Sequence, residues 1–203
     1  MIARVLGLVA RLLPLREIRD EGGTLYLRRY RIVGSMDGRH PWFPFTAYLH
    51  QFHRPDQDRD LHNHPWPWAV SLVLAGGYRE IRHVPGSVAG RTLSQPTFSR
   101  WMRAGMVNVL HANTFHRVAE LAPEETWTLF LVARKVQAWG YDVPGRGFVP
   151  WRAHVAERQA SEAMLNWRHC LNCDHRWIYD PAAYPCPSCG SARVHATSRA
   201  VQS

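Results

Sequence analysis

Two histidine-rich segments contain the residues best suited to metal chemistry. His62 and His64 are separated by one residue within the segment 60–68, and His116 lies in a second segment that begins at Gly105. On an extended segment, residues i and i+2 point to the same face of a sheet, so both imidazoles of the first segment can reach one ion inside a barrel. If the second segment folds as a strand, a turn and a second strand, it would bring His116 toward the same ion. The first segment therefore predicts a pair of metal ligands, and the second offers one more histidine.

The cysteines indicate a second metal site. Cys170 and Cys173 form one C-x2-C pair, Cys186 and Cys189 form another, and 12 residues separate the pairs. Four thiolates close a tetrahedral site that favours zinc, although iron in a rubredoxin-like cage is an alternative. Because the protein fills all four positions, we expect this metal to fold the segment and not to catalyse a reaction. The segment 167–195 resembles a zinc ribbon.

Composition excludes several classes of protein. The 203 residues are 46% hydrophobic and 20% charged, as in a globular protein of one domain or one domain with a small appendage. The apolar stretch 1–15 contains Arg4 and Arg11 and is too short for a transmembrane segment. The same arginines argue against a secretory signal, which makes the cytoplasm the expected location.

The protein has a large net positive charge. The net charge is +9, and Lys135 is the only lysine among the 25 basic residues. Guanidinium groups suit phosphate and carboxylate partners, so a small anion or nucleic acid is one interpretation. The other is that a GC-rich genome encodes arginine and that the charges only keep the protein soluble. Both interpretations stay open at this point.

Hydrophobic periodicity divides the chain into five parts. Residues 1–20 have helical spacing and predict an amphipathic helix, with a basic membrane-surface anchor as a minor alternative. Residues 21–151 contain about eight short β-type runs, among them 68–75 and 126–133, without long helices, which predicts a sandwich or barrel. We expect a connector helix over 152–166, the ribbon over 167–195 and a frayed tail over 196–203.

At the two histidine segments the chain resembles the cupins. Their motifs are G-x5-H-x-H-x3,4-E-x6-G and G-x5-P-x-G-x2-H-x3-N. The second aligns without gaps, with Gly105 as its first glycine and His116 as its metal histidine. In the first, His62 and His64 match the paired ligands, and Gly76 matches the closing glycine. The resemblance covers residues 40–151, extends to a small cupin-like group in phage and bacterial genomes, and implies a double-stranded β-helix, or jelly roll.

The glutamate of the first cupin motif is missing. Ala69 occupies its position and cannot bind a metal, so the resemblance implies three ligands, namely His62, His64 and His116. A three-histidine iron site is that of the thiol dioxygenase branch of the cupins. The pair Gly76-Gly77 predicts a tight hairpin, since glycine readily adopts the positive φ that such turns need. Glu80, on the strand after this hairpin, could supply the acidic ligand if it faces inward, and His111 is a weaker candidate.

Two classes of function follow from this resemblance. The first is a mononuclear metal protein, in the sharpest form an Fe(II) dioxygenase that acts on a small anionic substrate; a sugar isomerase or epimerase is a related possibility. Four arginines on nearby strands could bind the anion: Arg79, Arg82, Arg100 and Arg117. The second is a non-catalytic binding module whose basic ribbon binds nucleic acid or a protein complex. Cupin barrels commonly dimerise, so a homodimer is also expected.

Overall fold

The computed structural model describes two compact units, Met1–Pro150 and Trp151–Ser203. The described residues are 2–20, 23–35, 44–83, 96–165, 167–173, 176–178, 185–192 and 194–196. None of the described helices is long and apolar enough to span a membrane.

The first unit consists of two six-stranded antiparallel sheets. Numbered along the chain, the first sheet has the order β1-β2-β3-β10-β5-β8, with β1 (Leu15–Arg19), β2 (Leu25–Val33), β3 (Phe45–Phe52), β10 (Thr126–Ala133), β5 (Trp68–Ala75) and β8 (Val107–His111). The second has the order β12-β11-β4-β9-β6-β7, with β12 (Gly147–Pro150), β11 (Gly140–Val143), β4 (Leu61–His62), β9 (His116–Leu121), β6 (Gly77–His83) and β7 (Thr97–Arg103).

The eight strands from β3 to β10 define the fold. They form two four-stranded halves, β3-β10-β5-β8 and β4-β9-β6-β7, whose order is that of a double-stranded β-helix, or jelly roll. The mainly β, cupin-type fold class that the sequence predicted is therefore confirmed. Two further strands extend each sheet at one edge.

The inner faces of the sheets form the core. One buried cluster contains Tyr48, Trp66, Ala69, Leu110, Phe130 and Val132, and another contains Val73, Tyr78, Met102 and Val118. Gly76 turns the chain between β5 and β6 with a positive φ of 62°, and a Cβ there would lie 2.6 Å from the Glu125 oxygen. Only glycine fits this turn without strain, so the hairpin predicted from the glycine pair is present.

The N-terminal region differs from the helix expected over residues 1–20. Helix α1 covers only Ile2–Ala10, and residues Leu15–Arg19 pair with β2 as strand β1. Pro14 has no N–H to donate to a helical hydrogen bond, and it restricts the preceding residue to extended conformations. The helix therefore cannot continue through residue 14 to the end of the predicted range. The inner face of α1 packs through Ala10 against Trp127 and Leu49.

The second unit contains helix α2 (Trp151–Leu165) and a small three-stranded antiparallel sheet. Its order is β14-β13-β15, with β13 (Trp167–Cys170), β14 (Arg176–Ile178) and β15 (Val194–Ala196). A helix was predicted over 152–166, and its role as a connector stays a prediction. The expected tail lies outside the described residues except for Ala196, which belongs to β15.

Candidate metal centres

Three histidine side chains meet inside the jelly roll. His62 lies directly opposite His116 in the pairing of β4 with β9, and His64 follows two residues later on the same face. The three ring centroids are each 5.1 Å from one another. One ring nitrogen of each histidine lies within 4.8 Å of one nitrogen of each of the others. The structure thus brings together the three histidines that the motifs singled out; we call them the histidine cluster.

The backbone around the histidine cluster is fixed by two side-chain amides, of which Asn63 is buried and Gln137 is partly buried. Asn63, between the two histidines, donates to the Ala112 oxygen at 3.1 Å and accepts from the Gly140 nitrogen at 2.9 Å. Gln137 donates to the carbonyl oxygens of both His64 and Ala112 at 3.0 Å. Since Asn63 points away from the flanking imidazoles, these bonds hold His62 and His64 toward the interior.

Burial keeps two members of the cluster neutral. Burial lowers the pKa of His62 to about 4, although Asp56 partly opposes the shift. Burial also lowers the pKa of His64 well below its ordinary value, and the neighbouring His116 and His62 add to the effect. A neutral imidazole has a free lone pair on one nitrogen, which is the form that binds metals.

The nitrogen separations suit a metal ion. Nε2 of His64 lies 2.9 Å from Nε2 of His116. Two nitrogen ligands at right angles, each about 2.1 Å from a metal, lie about 3.0 Å apart, whereas tetrahedral ligands at the same distance lie about 3.4 Å apart. The same separation also fits a hydrogen bond between the two rings. The donor set is therefore compatible with a mononuclear transition-metal site that has open positions.

Glu80 contacts His116 at Nδ1, on the side of the ring away from the other two histidines. It is therefore not one of the three candidate metal ligands. Its Oε1 is 2.8 Å from Nδ1 of His116, a close electrostatic contact that lacks good hydrogen-bond alignment. Burial raises the pKa of Glu80, but the stronger combined effects of His116, Asn108 and Arg82 lower it to about 2. A buried carboxylate in this position orients the imidazole and increases its basicity.

The Glu80 carboxylate also anchors a buried polar network. It accepts from Arg100 Nε and from Asn108 Nδ2, each at 2.8 Å, and Arg82 lies 3.9 Å away. Both arginines also donate to Asn108 Oδ1. This network links β6, β7 and β8 across the two sheets.

We expect Glu80→Gln to destabilise the barrel by about 3 kcal/mol, because it removes the charge that compensates two partly buried arginines. Urea unfolding followed by tryptophan fluorescence measures the loss. The matched control is Glu120→Gln, which breaks only the exposed pair with Arg79 and should cost less than about 1 kcal/mol. Equal effects of the two substitutions would contradict the assigned role of Glu80.

The four arginines predicted to bind an anion do not form one group. Arg79 pairs at 2.7 Å with Glu120, whose side chain is 54% exposed. Arg82 and Arg100 are engaged with Glu80 and Asn108. Arg117 lies beside His116 in β9, so its side chain points to the opposite face of the strand. His111 is exposed at the end of β8 and is not part of the histidine cluster.

A second carboxylate, that of Asp56, lies near His62. Asp56 Oδ2 lies 4.0 Å from Nδ1 of His62 and accepts a 2.6 Å hydrogen bond from the Val118 nitrogen. The hydroxyl of Tyr26 donates to the other oxygen of Asp56. Asp56 therefore ties the segment that precedes His62 to the strand that carries His116.

The four cysteines of the second unit also converge. Cys170 Sγ lies 3.6 Å from Cys189 Sγ, and Cys173 Sγ lies 3.7 Å from Cys186 Sγ. Sulfurs around a tetrahedral zinc with bonds of about 2.3 Å lie about 3.8 Å apart, so the spacing fits zinc. Burial raises the pKa of Cys170, but the backbone N–H groups of Asn172 and Cys173 and the neighbouring sulfurs lower it to about 6. A thiolate is the form that binds the metal.

Sequence reasoning missed Asn63, Gln137 and Asp56 as positioning residues. Asn63 could have been found, since it lies between two candidate ligands and faces the other way. Gln137 and Asp56 gave no local signal, because their partners lie on distant segments.

No protein-family model and no curated protein sequence matches the chain. Among solved structures, it is similar to Fe(II)-HppE with an alternative substrate, at 10% identity and a TM-score of 0.42, covering 61% of this chain and 57% of that one. A mutant of Bacillus subtilis oxalate decarboxylase has 15% identity and a TM-score of 0.43, covering 62% and 29%. The Lactobacillus farciminis oxalate decarboxylase formate complex has the same identity and score, covering 75% and 37%.

The chain thus spans less than two thirds of the length of these structures. Strand order assigns the fold independently of these similarities. Fold and site together define a protein with a cupin-type jelly-roll fold and a candidate three-histidine centre, followed by a second unit with a candidate four-cysteine centre.

Proposed function

We propose that the barrel is a mononuclear metal centre in which His62, His64 and His116 hold a divalent transition metal, and that it acts as a dioxygenase of the Fe(II) type on a small anionic substrate. The observation that supports this most strongly is the convergence of the three imidazole nitrogens within 4.8 Å. Imidazole suits iron among other transition metals, and a bound ferrous ion would supply one-electron and O2 chemistry.

The protein's own residues support an anionic substrate. An imidazole that binds a metal contributes no negative charge, so three such ligands would leave the charge of a divalent cation uncompensated, which favours an incoming anion. The Glu80 carboxylate lies 2.8 Å from Nδ1 of His116 and orients that ring from behind, and Asp56 lies near His62 at 4.0 Å. Trp139 and Tyr141 lie beside His62, and Trp66 stacks on His64, so aromatic rings limit the access of water.

The proposed function is tested by element analysis of gently purified protein, together with mass measurement of any bound small molecule. We expect one equivalent of zinc in the ribbon and, beside it, iron in the barrel. Oxygen uptake with incorporation of 18O into the bound molecule would support the dioxygenase. Zinc at one equivalent as the sole metal would contradict the barrel centre, and a metal-loaded barrel that consumes no oxygen with its bound molecule would contradict the dioxygenase.

The alternative is a non-catalytic barrel whose second unit binds nucleic acid or a protein complex. The net charge of +9 is compatible with this role. Salt-sensitive binding to a DNA fragment that disappears when residues 167–203 are deleted would favour the alternative. The same element analysis separates the two functions, since this version requires no metal in the barrel.

A further inference from the structure

An arginine that the motifs do not mark lies on the inner side of the first sheet. Arg29 in β2 is directly opposite His50 in β3, and its Nε donates to Nε2 of His50 at 3.0 Å. The guanidinium carbon lies 5.0 Å from the ring centroid of Tyr48, a member of the buried core cluster. The charge is therefore held among aromatic rings of the barrel interior.

Within the described part of the chain, no carboxylate lies at ion-pair distance from Arg29. His50 cannot compensate for the charge, because burial, and then Arg29 itself, lower the pKa of His50 well below its ordinary value and keep the imidazole neutral. Burial likewise lowers the pKa of Arg29. In contrast, Arg79 and Arg100 each pair with a glutamate. A partly buried cation is stabilised by an anion at hydrogen-bond distance, so this arrangement favours an anionic ligand.

Aromatic contacts connect Arg29 to the histidine cluster. His50 packs against Phe130 with ring centroids 4.8 Å apart, and Phe130 contacts Trp66 at 5.7 Å. Trp66 in turn stacks on His64 at 5.2 Å. Arg29 and the cluster thus face one interior.

We propose that Arg29 binds the carboxylate of a small organic acid inside the barrel. Nε is already bonded to His50, which leaves the two terminal nitrogens as a fork that matches both oxygens of a carboxylate. The single positive charge of the Arg29 guanidinium also matches the single negative charge of a monocarboxylate. This inference rests on the proposed function, since it names the substrate class of the same site. It replaces the four arginines expected from the sequence with a single residue.

The test measures binding of propionate by isothermal titration calorimetry at constant ionic strength, with propionamide as the neutral analogue. We expect Arg29→Gln to raise the Kd for propionate by at least about tenfold, because a charge-assisted pair of hydrogen bonds is lost. The glutamine keeps a donor for His50. The matched control is Arg28→Gln, on the opposite face of β2, where Arg28 pairs with the partly exposed Glu17; its Kd should stay within about twofold of the unchanged protein.

Two further measurements separate the possible failures. Element analysis of Arg29→Gln should give the same barrel metal as the unchanged protein, and its circular dichroism should be the same. A barrel without metal that still binds propionate through Arg29 would contradict the proposed function alone. Equal affinities of Arg29→Gln and the unchanged protein, equal binding of propionamide, or no saturable propionate binding by the unchanged protein would overturn the inference about Arg29.

Discussion

Replacing His62, His64 or His116 by alanine is expected to remove the metal of the barrel and to leave the zinc of the ribbon in place. Each substitution deletes one of three ligands, and alanine offers no donor in its place. Loss of residues that only orient a ligand already weakens metal affinity by about 10- to 100-fold, so loss of a ligand should exceed about 100-fold. Element analysis after dialysis, with the metal-to-protein ratio determined for each variant, measures the result.

The control for this series is His111→Ala. His111 belongs to the same histidine-rich segment as His116, but its side chain is exposed at the end of β8. The His111→Ala variant should therefore keep both metals at the same metal-to-protein ratio as the unchanged protein. If a substitution in the histidine cluster removed both metals together, or if His111→Ala emptied the barrel as well, the assignment of two separate centres would fail.

The central strands were predictable because they are short runs rich in apolar, β-branched and aromatic residues, bounded by turn residues. The runs predicted at 68–75 and 126–133 coincide with β5 and β10. Strand β4 has only two residues, and β11 and β12 have four each, which is too short for a periodic signal. Strand β1 was not predicted, because the helical spacing of the apolar residues before it continues through Leu13, beyond the end of the helix at Ala10.

The candidate ligands could be identified from sequence, whereas their environment could not. His62 and His64 share a face by local geometry alone. The contact of Glu80 with His116 depends on the register of β6 with β9, where a bulge between Arg79 and Glu80 shifts the pairing. Local sequence does not encode that register. Arg29 belongs to the only run of arginines in the chain, but its inward position is visible only once β2 is paired with β3.

Replacing Cys170 by alanine is expected to release the zinc and to unfold residues 167–196 while the barrel stays folded. The three strands of this segment have four, three and three residues, which bury too little apolar surface to fold without a crosslink or metal. Binding of a structural zinc contributes about 10 kcal/mol or more, so the segment should depend on it entirely. The jelly roll has its own core clusters and a separate set of candidate ligands.

Hydrogen exchange with mass spectrometry distinguishes the two units in this variant. Amides of 167–170 should lose their protection, whereas those of β5 and β10 should keep it, and element analysis should show barrel metal without zinc. The matched control is Ser188→Ala, an exposed position between Cys186 and Cys189 that offers no sulfur and should keep the zinc. Retained protection in a zinc-free segment would mean that the strands fold without the metal. Loss of protection in β5 and β10 as well would mean that the four-cysteine centre supports the barrel, and the independence of the two centres would then be wrong.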